Sequence, residues 1–163
     1  MGNDFYTASI LPFAAIIIKV CRAYTNSQEE FEDYYQEVCL QIWRSKDSFQ
    51  GQSEWSTWVY RLSLNVCLTN LRKKKKAQQC QDDTAYLSEK NCEMTPFADE
   101  AVNQLYAAIR RLPEIDRGII LLYLEEKPYR EIAEIIGTNA NNIGVRISRI
   151  KEKLNGFLGR KDS

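Results

Sequence analysis

One helix-length stretch, FEDYYQEVCLQIW at residues 31–43, constrains the fold of this chain most, because it presents two unlike faces. Large apolar side chains recur at three- and four-residue spacing, which predicts an amphipathic helix with one face in a core. These apolar residues are Phe31, Tyr34, Tyr35, Val38, Ile42 and Trp43. The opposite side collects Glu32, Asp33, Gln36, Glu37 and Gln41. Neighbouring carboxylates repel one another, so that side is either a solvated surface or a docking face for a basic or hydrogen-bonding partner.

Charge is unevenly distributed along the chain, although the 163 residues are neutral overall, with 22 basic and 22 acidic side chains. Residues 1–43 carry two basic and six acidic side chains, whereas residues 44–76 carry eight basic and two acidic ones. Residues 81–100 are acidic again, and residues 127–163 return to a basic balance. This alternation predicts two separate anion-binding patches divided by an acidic spacer.

The cysteine and histidine content argues against a metal site or a disulfide framework. The five cysteines are odd in number and form no C-x-x-C pair, and there is no histidine. We therefore expect reduced, mostly buried thiols in a cytoplasmic protein, with no metal and no cofactor. The apolar run over residues 10–18 is interrupted by Pro12, looks too short for a membrane span and has no basic leader. We expect it to be the first core helix, without membrane insertion.

Apolar periodicity and turn residues predict an all-α chain with two small helical domains joined by a flexible acidic linker. The expected domains are residues 1–76 and 99–163, and the expected linker is residues 77–98. The predicted helices cover residues 11–24, 28–43, 54–76, 101–112, 114–124, 129–136 and about 140–158. Asn26 or Ser27 is expected to cap the second helix, and Asn139 or Asn141 the last one. One short helical turn is expected around Tyr86.

The last two predicted helices, with Gly137 supplying a left-handed turn between them, indicate a helix-turn-helix. In the second of them, an apolar stripe predicts the buried side: Ile143, Ile147, Ile150 and Leu154. The remaining side chains are left outside or at the margins: Asn141, Asn142, Val145, Arg146, Arg149, Lys151 and Lys153. Asparagine and arginine pair with base edges or phosphates in a major groove. The alternative interpretation is a basic helix that faces only solvent.

Two segments in register resemble one protein family. Residues 33–43 resemble the D-x-x-Q-E-x-x-x-x-x-W helix of sigma-70 family factors in their extracytoplasmic-function (ECF) group. Leu112-Pro113, Arg117, the segment 129–137 and Arg146 resemble region 4 of the same factors. Gly144 and Asn139 stand where the family often has lysine and proline, so no base preference follows from the resemblance.

The resemblance implies a partner set and a role for this chain. It implies a non-enzymatic bacterial transcription initiation factor that binds core RNA polymerase and directs it to promoters. It further implies binding to double-stranded and melted promoter DNA, restraint by an anti-sigma factor, and no small-molecule substrate.

The resemblance also implies three sets of site residues. The polymerase-binding set is Asp33, Gln36, Glu37, Gln41 and Trp43. The set for promoter melting and the downstream element is Phe49, Gln52, Trp58, Arg61, Asn65, Arg72 and Lys73. The set for the upstream element is Tyr129, Asn141, Asn142, Val145, Arg146, Arg149 and Lys151. Phe49 and Asn65 match positions that hold a flipped base, whereas Trp58 is expected in the core, where aromatic residues at helical spacing usually pack.

Two other function classes fit parts of the chain. A stand-alone helix-turn-helix regulator with a sensory N-terminal domain would explain the C-terminal half and would bind its operator without polymerase. A metal-dependent nuclease would use the carboxylates of Glu29, Glu30, Glu32, Asp33 and Glu37. Acidic clusters are common on solvated helix faces, so the enzyme hypothesis ranks last.

Overall fold

The computed structural model describes residues 2–51, 53–80 and 99–159, and the regular structure in these ranges is helical throughout. The prediction of an all-α fold is thereby confirmed for the described residues. The chain divides into two compact units, Met1–Thr95 and Pro96–Ser163. Gln52, the predicted linker from residue 81 onwards and the predicted turn around Tyr86 lie outside the described residues.

Three long helices and several short turns build the first unit. Its elements are α1 (Gly2–Phe5), a π-helical turn (Tyr6–Ile10), a 3-10 turn (Leu11–Phe13), α2 (Ala14–Tyr24), α3 (Gln28–Ser45), a second 3-10 turn (Lys46–Ser48) and α4 (Trp55–Cys80). Helix α2 packs against α3 and α4, and α3 packs against α4. Their shared core includes Ile17, Val20, Val38, Ile42 and Val59, all fully buried. Complete burial of such a side chain stabilises the fold by about 1.5–3 kcal/mol.

The N-terminal apolar segment is longer than the sequence suggests. The helical stretch Tyr6–Tyr24 has 19 residues and a mean hydropathy of 1.4, which by length and composition alone would suffice to cross a bilayer. The apolar run over residues 10–18 is only one part of this stretch. Its packing is that of a core helix, because Ile17, Val20 and Cys21 are fully buried and α2 lies against two other helices.

The ends of the helices in this unit follow from local chemistry. Ser27 is the cap of α3, because its Oγ accepts a hydrogen bond from the Glu30 backbone N–H at 3.1 Å. The Glu30 carboxylate in turn accepts one from the Asn26 backbone N–H at 2.8 Å. Helix α4 continues to Cys80, past the predicted end near Lys76, because alanine and glutamine at positions 77–79 favour helix.

Four helices form the second unit: α5 (Glu100–Ile109), α6 (Glu114–Leu124), α7 (Tyr129–Ile136) and α8 (Ala140–Phe157). Gly137 ends α7 in the left-handed region at φ 94°, and the Asn139 side chain caps α8 by accepting from the Asn142 backbone N–H at 2.9 Å. Ile132 of α7 and Ile143 of α8 are fully buried, and both helices pack against α6. The predicted helix-turn-helix is confirmed, and Asn139 is its cap.

Arg117 has a structural position in the turn between α5 and α6. Its Nε donates a hydrogen bond to the Leu112 carbonyl at 2.9 Å, five residues earlier in the chain. That carbonyl precedes Pro113, which is the N-cap residue of α6 and has no N–H of its own to donate. The Leu-Pro and arginine positions of the sequence pattern therefore meet in one turn.

Replacing Ser27 by alanine should lower the free energy of unfolding of the first unit by about 1 kcal/mol, because α3 loses the acceptor at its N-terminus. All three tryptophans belong to this unit, so urea denaturation followed by tryptophan fluorescence reports on it alone. Asn26→Ala is the matched control and should cost less than half as much, because the Asn26 backbone N–H still donates to Glu30. Equal losses in the two variants would contradict Ser27 as the cap.

Candidate functional site

Helix α3 carries the predicted polymerase-binding residues on its solvent side, but the structure divides them between two edges of that side. Asp33 and Gln36 are exposed, whereas Glu37 and Gln41 are half-buried. Gln41 Nε2 donates a hydrogen bond to Glu37 Oε2 at 3.2 Å, which holds the two side chains together. Glu37 and Gln41 lie towards α4, and Gln36 and Trp43 line a groove on the opposite edge.

The first groove runs between α3 and α4 and has a volume of about 260 Å³. It is lined by Glu37, Gln41, Leu62, Asn65, Val66, Thr69, Asn70 and Lys73. Two residues predicted for polymerase binding therefore lie beside two residues predicted for DNA, Asn65 and Lys73. Sequence spacing gave no sign of this neighbourhood, because it depends on how α3 packs against α4.

The second groove lies on the other edge of α3, has a volume of about 590 Å³ and is mainly apolar. Its lining is Phe5, Tyr6, Ile10, Tyr35, Gln36, Cys39, Leu40 and Trp43. Leu40 and Trp43 are 41% and 37% exposed, and Phe5 meets Trp43 edge-on at 5.3 Å between ring centroids. The sequence analysis missed Leu40. The sign that could have identified it is its position, because it is an apolar residue on the polar side of the 31–43 pattern.

Burial raises the pKa values of two titratable groups that line this second groove, Cys39 and Tyr35. Burial raises the pKa of the Cys39 thiol to about 11. Burial, with a hydrogen bond between the Tyr35 and Tyr6 hydroxyls at 3.3 Å, raises the pKa of Tyr35 above its usual value. At its rim, the Lys46 ammonium lies 3.8 Å from the Trp43 ring centroid, a cation–π contact. The groove is thus uncharged inside and positive at one end.

Three aromatic rings cluster where α4 begins. Trp55 and Trp58 stack at 4.8 Å between centroids, and Phe49 lies 5.1 Å from Trp55 and 5.5 Å from Trp58. Trp55 is held in place because its Nε1 donates to the Ser9 carbonyl at 2.8 Å. Trp58 is half-buried in this cluster, so the expectation that it belongs to the core is wrong. Phe49, Trp55 and Trp58 offer a stacking surface of the kind that unpaired bases use.

The other residues predicted for melting lie along α4. Asn65 is exposed and Arg61 half-buried, and Arg72 and Lys73 project near the end of the helix. Asn65 lines the α3–α4 groove, whereas Phe49 belongs to the ring cluster, so among the described residues these two are not joined in one pocket.

Glu30 holds one cation of the basic run at the end of α4. Lys74 forms an ion pair with it at 2.5 Å, between the N-terminal turn of α3 and the far part of α4. The sequence analysis counted the run 72–76 within a basic segment that was predicted to bind anions. In the structure, at least Lys74 contributes to packing between helices as well.

Helix α8 presents the predicted upstream-element residues on the side opposite its buried stripe. Asn141, Asn142, Val145, Arg149 and other predicted contacts are exposed, whereas Ile143, Ile147, Ile150 and Leu154 are buried. The Asn142 amide donates to the Thr138 hydroxyl at 2.9 Å, which orients this side chain at the start of the helix. The structure therefore gathers these side chains on one surface.

The two flanks of α8 carry cations held by other helices. Arg146 lies 3.5 Å from the Asp116 carboxylate of α6. On the other flank, the Lys151 ammonium lies 4.5 Å from the Tyr123 ring centroid, and a hydrogen bond with Tyr123 raises the pKa of Lys151. The sequence analysis found neither Asp116 nor Tyr123, since no motif connects α6 with α8.

The acidic residues of the nuclease hypothesis do not assemble into a metal site. Within residues 2–51, 53–80 and 99–159, no three side chains of histidine, cysteine, aspartate or glutamate come together in an arrangement that could hold a metal ion. Glu30 forms an ion pair with Lys74, and Glu37 accepts a hydrogen bond from Gln41. The structure therefore adds no support to this hypothesis.

Known proteins match both units. Residues 12–77 match the family Sigma-70 region 2, and residues 103–154 match Sigma-70, region 4. The ECF RNA polymerase sigma factor SigW of Bacillus subtilis (strain 168) is 28% identical over 150 residues, covering 85% of this chain and 80% of SigW. The RNA polymerase sigma factor SigV of the same strain is 27% identical over 141 residues, covering 86% of this chain and 82% of SigV.

A solved structure shares the fold. The sigma factor RpoE from Bartonella quintana, crystallised in complex with the anti-sigma factor NepR, matches with a TM-score of 0.78 and 22% identity, over 98% of this chain and 99% of RpoE. The two family matches fall one in each unit, in the order region 2 and region 4, on the helices that carry the two sequence motifs. The chain therefore belongs to the sigma-70 family, as a sigma factor of the ECF group.

Proposed function

We propose that this ECF sigma factor binds core RNA polymerase, directs it to particular promoters and helps to melt them, with no catalysis of its own. The observation that carries this proposal is the pairing, in one chain, of an acidic docking face on α3 with a helix-turn-helix in the other unit. Its site of action is the cytoplasm, where polymerase and DNA meet.

Reconstitution with bacterial core polymerase tests this function directly. The polymerase should gain initiation at a discrete set of start sites when the chain is added, and those sites should share an upstream and a downstream sequence element. The competing function, a stand-alone helix-turn-helix regulator, predicts specific binding by the chain alone in a gel-shift assay. Operator binding without polymerase and without new start sites would favour the regulator.

An anti-sigma factor is the second protein partner in this proposal. Bartonella quintana RpoE, which shares the fold, was solved with such a protein bound. A partner that covered the solvent side of α3 would exclude polymerase from that side, because one surface cannot hold both proteins at once.

Polymerase docking is assigned to the solvent side of α3, with Asp33 and Gln36 exposed and Glu37 at the edge. Reversing Asp33 or Glu37 to lysine should weaken core binding by about tenfold or more, since like charges would then face a basic partner surface. Fluorescence anisotropy with labelled sigma factor measures the affinity, and circular dichroism checks that helical content is retained.

Glu100→Lys is the matched control for docking, because Glu100 is an exposed carboxylate in the other unit. It should bind core polymerase as the wild type does. Unchanged affinity in folded Asp33→Lys and Glu37→Lys variants would exclude this face as the main contact.

Promoter melting is assigned to Phe49 and Asn65, in keeping with their match to the base-pocket positions. The structure supports separate roles, because Phe49 adds to a stacking surface whereas Asn65 lies in the α3–α4 groove with Lys73. A stacked base and a hydrogen-bonded base edge are both used to hold unpaired nucleotides. The run from Arg72 to Lys76 would add affinity without selecting a sequence.

Asn65→Ala should make the free energy of open-complex formation on duplex promoters less favourable by about 1–3 kcal/mol, with a smaller loss on a pre-melted template. Permanganate reactivity of the open complex measures this change. Phe49→Leu should act in the same direction while keeping an apolar contact with Trp55 and Trp58. Gln78→Ala, at an exposed position of α4 outside the α3–α4 groove, serves as the control and should leave melting unchanged. Equal losses on duplex and pre-melted templates would argue against a melting role.

Recognition of the upstream element is assigned to α8, with Arg146 and Asn142 on base edges and Arg149 and Lys151 on phosphates. Arg146→Ala should then cost about 1–3 kcal/mol at particular base pairs only. Lys151→Ala should weaken all sequences alike and reduce the salt dependence by about one unit of slope. Holoenzyme binding to a panel of upstream variants across a salt series measures both effects, and an exchange of the two patterns would refute the assignment.

A further inference from the structure

The outward side of α8 is not wholly polar, because two exposed apolar side chains lie among its cations and amides. These two side chains, Val145 of α8 and Tyr129 of α7, are called the apolar strip. Val145 is 51% exposed and Tyr129 is 41% exposed. Val145 stands opposite the buried stripe, between Asn141 and Arg149 at successive turns of the helix. The strip therefore belongs to the surface that would enter the major groove.

Gly144 allows Tyr129 to lie against this side of α8. A β-carbon at Gly144 would lie 3.5 Å from Cε2 and 3.7 Å from Cδ2 of the Tyr129 ring, an ordinary contact. Alanine would fit there, but a longer side chain would compete with the ring for the same space. The missing side chain at 144 is thus replaced by an aromatic ring that arrives from α7.

The chemistry of the strip selects what it can contact in a major groove. Valine and the tyrosine ring offer no charge to a phosphate, whereas the thymine 5-methyl is the apolar group that the major groove presents. Asn141 and Asn142, at the start of the same helix, carry the amide that pairs with adenine. The apolar strip and the amides together suit A·T pairs.

Resting on the proposed function, we infer that Val145 reads the 5-methyl group of thymine in the upstream promoter element. The family resemblance implies only that Val145 belongs to the upstream-element set, and it names no base or group that Val145 contacts. Arg149 and Lys151, on the same helix, give the attraction to the DNA backbone, and Val145 distinguishes among sequences that share that attraction.

The test uses holoenzyme and an upstream element defined by the mapped start sites. Each thymine of either strand is replaced singly by deoxyuridine, which removes only the methyl group. Wild-type holoenzyme should lose about three- to fivefold in affinity at one or two adjacent positions, the size expected for one buried methyl. In Val145→Ala holoenzyme, the same replacement should change affinity by less than about 1.5-fold, because the methyl has lost its partner.

Leu124→Ala is the matched control, since Leu124 is 48% exposed at the end of α6 and does not belong to α8. It should keep the full deoxyuridine loss, and circular dichroism should show both variants folded. The inference is overturned if no thymine is sensitive, or if the loss persists in Val145→Ala. Failure of wild-type holoenzyme to bind any promoter would instead remove the proposed function, and the inference with it.

Discussion

The burial of one row of α3 is the constraint on which the first unit depends. Tyr34, Val38 and Ile42 are in the core against α2 and α4, so the other side chains of α3 have to lie on its solvent side or its two edges. The exposed carboxylates are displayed because the helix cannot rotate without burying a charge, which costs several kcal/mol. Packing in the core therefore fixes both grooves beside α3.

The second unit obtains its surface in the same way. Ile132 and Ile143 pack α7 and α8 onto α6, and the left-handed Gly137 sets the angle between the two helices. The exposed side of α8 is then already formed for the proposed contact with DNA. The exceptions are the cations at its flanks, which are held by other helices. If Arg146 and Lys151 bind DNA as proposed, each exchanges its contact with Asp116 or Tyr123 for a DNA contact, which reduces the net gain from each.

Electrostatics separates the solvent side of α3 from the outward side of α8. Exposed carboxylates on α3 would repel phosphates, so this side favours a basic protein surface and keeps DNA away from it. Cations on α8 attract any phosphate backbone, so sequence discrimination has to come from side chains that contact base edges. Asn141, Asn142, Val145 and Arg146 are the candidates, and they lie near the start of the helix, where groove contact is expected.

Much of this protein is determined by the sequence alone, because the signals are local. The period of 3.6 residues gave the helices, Gly137 gave the turn, and two motifs in register gave the family. The tertiary structure alone decided which of two candidate caps is used, that Trp58 is half-buried, and that Asn65 faces Glu37 rather than Phe49. It also brought Asp116 to Arg146 and Tyr129 to Gly144. These contacts join different helices, and no spacing within one helix encodes the partner that packing will bring to it.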